Sequence, residues 1–463
     1  MTGVSEEIHT VTARRLAAAV RSGEISPVEL TAHYLDRADR LDHRVGAFVV
    51  VCREDALDQA RKAERIVAEA VDPPALLGLP VPVKDLHAAA GLPTGYGSAA
   101  RPGPRAAADG PVAALLRAAG ALVPGKTSTP EFGLTCYTDF AETAPGLRPA
   151  RNPWSSGLLA GGSSGGAAAA VAAGLAPFAH GSDGGGSIRI PASACGLVGI
   201  KPSRGVVPVG ADPFGLAVSG PIARDVRDAA LLLDALTGNQ DGLFLAAADR
   251  PPARLRIART ALPAYPDTVI HPECLAAYET ASRILAGLGH EIVELPPVRT
   301  PELAGLFETA WMVLAAAEPV RADREHLLQP LTRWLRDRGR EITPAAFAQL
   351  RTRLAAEAER ALAVMAPYDA VLTPALAEPP VPVGHFTSGT PEEDFALQNA
   401  HTPFAALANI TGQPSLALPM RWTPDGLPVG VLLSGRPGHD AALIALAAQL
   451  EAATPPRPPF PFD

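Results

Sequence analysis

Cysteine is scarce: four in 463 residues, at Cys52, Cys136, Cys195 and Cys274, with no C-x-x-C spacing. A disulfide framework or a zinc knuckle needs denser and closer sulfur, so both are excluded, and the pattern suits a reducing compartment. Excess positive charge is absent as well. Forty Lys and Arg stand against 48 Asp and Glu, a formal charge of −8. No basic surplus exists to neutralise phosphates, so no nucleic-acid partner is expected. Long apolar runs are missing. The most apolar stretch, AAAAVAAGLAPFA at 167–179, is too short for a bilayer and is broken by Gly174 and Pro177. The opening MTGVSEEIHT is acidic and polar, unlike a secretory leader. The expectation is a soluble, cytoplasmic chain with no membrane partner. None of the eleven histidines falls in H-E-x-x-H or another ligand spacing, so no metal or other cofactor is expected.

What the sequence does have is apolar bulk. Apolar residues make up 47% and charged residues 19%, enough for a large buried core. Length alone allows two or three domains. No linker-like tract or fixed-period repeat divides the chain, which favours one large domain. The first helix reads as ARRLAAAVRSGE; Ser26 then caps a second, with Pro27 at its first turn. A strand GAFVVV and a charged helix near 54–70 follow. From about 78 to 210, short apolar runs such as GLPVPVKD, ALVPGKT and GLVGIKP alternate with glycine-rich turns and alanine-rich helices. That texture predicts an α/β fold, a central mixed twisted sheet flanked by helices on both faces. Beyond about 240 the chain reads as mostly helical, at 272–288, 301–316 and 344–365, before YDAVLTP, PSLALPM and VGVLLSG return to strands. Those late strands are expected to rejoin the first sheet. The 48 prolines read as loop punctuation, and the tail TPPRPPFPFD as a frayed end.

Two familiar signatures match without their context. Gly120 to Thr127 fits the P-loop pattern G-x-x-x-x-G-K-[ST] at every position. A P-loop needs a strand before its first glycine, whereas PVAALLRAAG reads as a helix ending at Gly120, with ALV as a strand inside the supposed loop. Gly95 to Ala100 fits a loose dinucleotide fingerprint, but AAAGLPT before it is no strand. His180 and His439 read as structural or solvent-exposed histidines.

The informative region runs from Leu159 to Arg204. Two glycine-rich serine loops, GGSSGG at 161–166 and GGGS at 184–187, place Ser163 and Ser187 on either side of an alanine-rich helix. Gly184, Gly185 and Gly186 precede Ser187 directly. Glycine lets backbone approach a ligand closely, so such a run can aim several N–H groups at one point, as an oxyanion hole requires. Tight turns without chemistry would also produce these loops. GGSSG matches the nucleophile elbow G-x-S-x-G, yet NPWSSGLLAGG supplies no strand before Ser163. The alternative proton acceptor is Lys84, at the end of the apolar run GLPVPVKD. Burial there would lower its pKa and leave a neutral amine able to take a proton. An ordinary ion pair with the adjacent Asp85 is the competing reading.

The ordered motifs together resemble the amidase signature family of serine hydrolases. They run from TARRLAAAVRSGEISPVELTAHYLDRADRLDHRVGAFV through GLPVPVKD, GALVPGKTSTPEFG, RNPW, GGSSGG and GSDGGGSIRIPASACGLVGIKPSRG, to NITGQPSLALPM and GLPVGVLLSGRPGHDAALIALAAQLE. The resemblance spans nearly the whole chain. It implies a single domain over 1–463, with a signature core at about 78–210, a helical pocket insertion at about 270–365, and C-terminal elements at 366–452 rejoining the core. It also implies a Ser-cisSer-Lys triad: Lys84 as base, Ser163 as bridging serine after a cis peptide, Ser187 as nucleophile. Gly184, Gly185 and Gly186 would supply oxyanion N–H groups, Asp183 and Arg189 would brace the loop, and Leu134 would line the acyl pocket. The implied activity is hydrolysis of a small or medium-sized amide, in a chain that would not be unusual as a homodimer.

Three departures bear on that expectation. Gly184 stands where many members carry threonine or another larger residue, which would loosen or open the loop. Ile190 replaces the glutamine usual in glutaminase subunits of tRNA-dependent amidotransferases, which makes that alternative role a poorer fit. The segment FAETAPGLRPARNPW runs a residue longer than usual and carries Arg148, a change expected to reshape the substrate entrance. A catalytically silent relative acting as a binding subunit is the other alternative, against which the intact triad positions stand. An ester-directed Ser-His-Asp hydrolase would instead put the nucleophile at Ser163.

Overall fold

Among the described residues, thirteen short strands and the helices between them organise the chain. The computed structural model describes residues 8–140, 146–208, 210, 212–238, 241–298 and 301–462. The strands are β1 (Phe48–Val51), β2 (Val83–Lys84), β3 (Gly125–Thr127), β4 (Arg151–Asn152), β5 (Ser155–Leu159), β6 (Phe178–Asp183) and β7 (Val198–Lys201). They continue as β8 (Val218–Ala223), β9 (Arg256–Arg259), β10 (Glu291–Glu294), β11 (Ala370–Pro374), β12 (Ser415–Trp422) and β13 (Pro428–Gly435). Eleven of them form one sheet in the order β1-β3-β2-β6-β8-β7-β12-β13-β11-β9-β10, while β4 and β5 pair apart as a ribbon. The sheet is mixed: β2 runs parallel to β3 and β6, whereas β6, β8, β7, β12, β13 and β11 alternate direction.

Alternation along the strands builds two apolar layers. On β12, Leu416 and Leu418 enter the core beneath helices Ala13–Arg21, Val226–Thr237 and Asp440–Ala452, while Ala417 enters the opposite core. That second core holds the helices Gly165–Ala172 and Arg189–Ala194, both buried at every position. A helix of alanine and glycine exposes little side chain, so it can lie flat on the sheet between the two serine loops. The late strands β11, β12 and β13 do rejoin the early ones, as the sequence predicts.

The second half is less helical than its sequence suggests. Strands β9 and β10 flank the helix Pro272–Gly287 as a parallel β-α-β unit at the sheet edge. Their sequences, RIAR and EIVE, read as polar because each strand carries charge at both ends. Those charges face each other: Arg256 meets Glu291 at 3.1 Å and Arg259 meets Glu294 at 2.6 Å, each pair in register across the strands. Other expected strands shrink. In GLPVPVKD only Val83–Lys84 is strand, because Pro80 and Pro82 have no N–H to donate. In ALVPGKT the strand is Gly125–Thr127 rather than ALV. The tail is not frayed over its described residues: Phe460 meets His9 edge-on, and Arg44 lies 4.2 Å over the Phe462 ring. Among the described residues, no helix is long and apolar enough to cross a membrane.

Candidate active site

Parallel strands β2 and β6 lie side by side, with Val83 in register with His180. Lys84 therefore emerges beside the end of β6, where Ser182 and Asp183 lead into the glycine run. Its side chain has no solvent exposure. Nζ lies 2.7 Å from Ser163 Oγ, 3.0 Å from Ser182 Oγ and 3.3 Å from the Ser182 carbonyl. Burial lowers its pKa to about 7, and Asp183 only partly opposes that shift. The competing ion pair of Lys84 with Asp85 does not form. Asp85 instead accepts from Lys126 Nζ at 3.1 Å, the lysine of the P-loop-like stretch, which sits on a buried strand.

Ser163 stands at the turn into the helix Gly165–Ala172, and the Gly162–Ser163 peptide is cis. The sequence reading saw no strand before this turn, but β5 ends at Leu159. It pairs with β4 and bridges to Pro382, outside the main sheet, so it is not the central strand of a nucleophile elbow. Ser187 is 6% exposed and lines the same cavity as Ser163. Ser163 Oγ makes its hydrogen bond with Lys84, and no hydrogen bond links it to Ser187 Oγ. Catalytic hydrogen bonds are often long or unformed in the absence of substrate and tighten once it is bound.

Asp183 organises the glycine strand from within. Its Oδ1 accepts from Gly186 N–H at 2.8 Å, and its Oδ2 from Ile188 N–H at 3.1 Å. Arg189 grips both oxygens, from Nη2 at 2.9 Å and Nε at 3.0 Å. Burial pushes this carboxyl up, but Arg189, then Lys201 and Asn409, hold it well below the usual carboxylate range. Arg189 in turn donates to the Ala405 carbonyl at 2.9 Å and to Asn409 Oδ1 at 2.7 Å. The two residues expected to brace the loop thus form a buried clamp. The clamp also corrects an expectation: the Gly186 N–H is taken by Asp183 and is not free for an oxyanion. Among the described residues, the N–H groups of Gly184, Gly185 and Ser187 donate to no protein acceptor.

The serines open into a cavity of about 500 Å³ walled by Phe132, Leu134, Leu216, Trp311 and Leu314. Leu134 lines this cavity, and its carbonyl accepts from Trp311 Nε1 at 2.8 Å. Gly184 does not open the loop. Trp311 fills the space, and a Cβ built on Gly184 would lie 3.2 Å from its ring. Ile190 packs beneath the loop, where its Cδ1 would lie 2.6 Å from a Cβ at Gly186. Arg148 sits 3.4 Å from Asp42 on the helix Pro27–Val45, and residues 141–145 of its segment lie outside the described residues.

Sequence reasoning passed over several contributors. Ser182 is an ordinary residue of GSDGGGS, and only the strand register reveals that it faces Lys84. Asn409 lies 226 residues from Asp183, yet its Nδ2 donates to that carboxylate at 2.9 Å. Trp311 and Phe307 arrive on the helix Pro301–Ala317, inside the expected pocket insertion at about 270–365, but no motif there marks these two residues. His180 is fully buried and meets His87 edge-on at 4.7 Å. Burial, then Lys84 and Lys126, push His87 down to about 3, so this cavity-lining ring stays neutral.

Known proteins resemble this chain along nearly its whole length. The family model described as Amidase matches residues 29–444. The chain is 39% identical over 452 residues to AmiB2 of Mycobacterium bovis, covering 95% of each. It is 33% identical over 487 residues to an acylamidase of Rhodococcus erythropolis, covering 97% of each. The solved structure of 6-aminohexanoate cyclic dimer hydrolase with substrate superposes with a TM-score of 0.88 at 30% identity, over 98% of this chain and 100% of the other. Family match and whole-chain likeness agree, and the chain belongs to the amidase family, the amidase signature enzymes.

Proposed function

We propose that this protein hydrolyses a C–N amide bond of a small or medium-sized substrate through an acyl-enzyme on Ser187. The observation that carries the reading is Lys84: fully buried, pushed down to about 7, and 2.7 Å from Ser163 Oγ. A lysine that is half neutral near pH 7 can accept a proton where an ordinary lysine cannot. Neutral Lys84 takes the Ser163 proton as Ser163 takes the Ser187 proton, and Ser187 Oγ attacks the amide carbon. Charge develops on the carbonyl oxygen, where the N–H groups of Gly184, Gly185 and Ser187 are available. Each such donor contributes about 3 kcal/mol to the transition state. Collapse breaks the C–N bond, the proton held on Lys84 returns through Ser163 to the leaving nitrogen, and the amine departs. Water then gives its proton to the same relay and attacks the ester, releasing the acid and restoring the Ser187 hydroxyl.

Ile190 supports a stand-alone amidase over a glutaminase subunit, since the position offers only apolar surface packed under Gly161 and Gly186. The test is turnover of an amide panel by wild type and by Lys84→Ala, Ser163→Ala and Ser187→Ala. Loss of at least about 10³-fold in kcat for each is expected. Full turnover by Ser187→Ala would refute the assignment.

A further inference from the structure

We infer that Phe307 and Trp311, seated on the bare backbone of Gly184 and Gly185, set the size of the acyl group that reaches Ser187. The inference rests on the acyl-enzyme reading above and adds what the site admits. The two aromatic residues lie one turn apart on the helix Pro301–Ala317, the spacing that puts side chains on one face. Their rings stack with centroids 5.5 Å apart at 28°. Trp311 is held in place at its far edge, where Nε1 donates to the Leu134 carbonyl at 2.8 Å. Below the rings, the glycines are bare for a steric reason. A Cβ on Gly184 would lie 3.2 Å from Trp311 Cη2, and one on Gly185 would lie 2.9 Å from Phe307 Cζ.

The pair forms a wall between two spaces. Trp311 lines the cavity of about 500 Å³ that holds Ser163, Ser187 and Leu134. Phe307 lines a separate cavity of about 50 Å³ beside Gly185, with Tyr265, Asn399 and Thr402. The wall stands directly over the backbone that presents Ser187, so its position fixes how wide an acyl group can be at the bond being broken. A straight or flat acyl chain passes beside the indole, and one branched next to the carbonyl meets it. Apolar walls of this kind discriminate by about 10–200-fold per methylene-sized group.

The experiment measures second-order labelling of Ser187 by two fluorophosphonates, one with a straight alkyl chain and one branched beside phosphorus, with the adduct located by peptide mass. The same variants are assayed on acetyl and pivaloyl 4-nitroanilides. Trp311→Ala and Phe307→Ala are expected to raise the branched-to-straight rate ratio by about tenfold or more. Trp311→Phe keeps a ring over Gly184 and is expected to give a smaller shift in the same direction, which keeps the test open if the alanine variant does not fold. Gly184→Thr is expected to slow labelling by displacing the indole, with recovery in Gly184→Thr/Trp311→Ala. An unchanged ratio alongside a lower rate would mean that the rings only support the loop, and would overturn the inference alone. No labelling of Ser187 in wild type would overturn the acyl-enzyme reading and this inference with it.

Discussion

Below about pH 7, Lys84 takes up a proton and can no longer accept one from Ser163. On the proposed relay, kcat/KM therefore rises with pH along a limb centred near 7 and flattens above it. A limb centred near 10 would mean that the working lysine is an ordinary exposed one. The second residue with a specific consequence is Asp183. Its carboxylate holds Gly186, Ile188 and Arg189 together, so Asp183→Asn weakens the clamp while leaving the Lys84–Ser163 contact in place. We expect kcat to fall by about 10²-fold with KM changed far less, because misplaced N–H donors act on the transition state. Lys84, Ser163, Ser187, Asp183 and Arg189 are all legible in the sequence, since each lies inside or beside a motif. Ser182 and Asn409 also lie inside motifs, but nothing there marks their contacts, and Trp311 lies in none; only the fold brings the three to the site.

Among the elements, the glycine strand between β6 and the helix Arg189–Ala194 is the most tightly specified. Gly186 has φ 129°, and a Cβ there would lie 2.6 Å from both Ala405 Cβ and Ile190 Cδ1. Gly186→Ala is expected to lower stability by about 1–3 kcal/mol, read as a fall in Tm, and to lower kcat as the loop shifts. An unchanged Tm would show that the loop has room the packing does not suggest. The same comparison explains which elements sequence reasoning missed. Alanine and glycine around Ser163 and Ser187 signal a buried helix between two turns. The last two strands of the sheet, β9 and the edge strand β10, give no such signal, because Arg256, Arg259, Glu291 and Glu294 hide a short apolar centre. The helix Pro301–Ala317 covers the cavity through Trp311 and Leu314, and no chemical motif marks it.

Across the whole molecule, one eleven-stranded sheet carries Lys84 fully buried on its third strand, β2, and the fold bears a cost for keeping that amine neutral. The folded pKa near 7 lies below the unfolded value, so between about pH 7 and 10 the unfolded chain binds more protons and stability rises with pH. Lys84→Met removes this term. Its stability advantage over wild type in urea is expected to be largest at or below about pH 7 and to close towards pH 10. A gap independent of pH would mean that Lys84 is charged in the fold. The sheet's existence was readable from the alternation of short apolar runs. Its strand order was not, because β12 reaches β7 only after more than 200 residues of intervening chain. The central claim, that Lys84 acts through Ser163 on Ser187, is tested most directly by mapping a fluorophosphonate adduct by peptide mass. Wild type should carry it on Ser187 alone, with labelling abolished in Ser187→Ala and strongly slowed in Lys84→Met. An adduct on Ser163 that persists in Ser187→Ala would contradict the account.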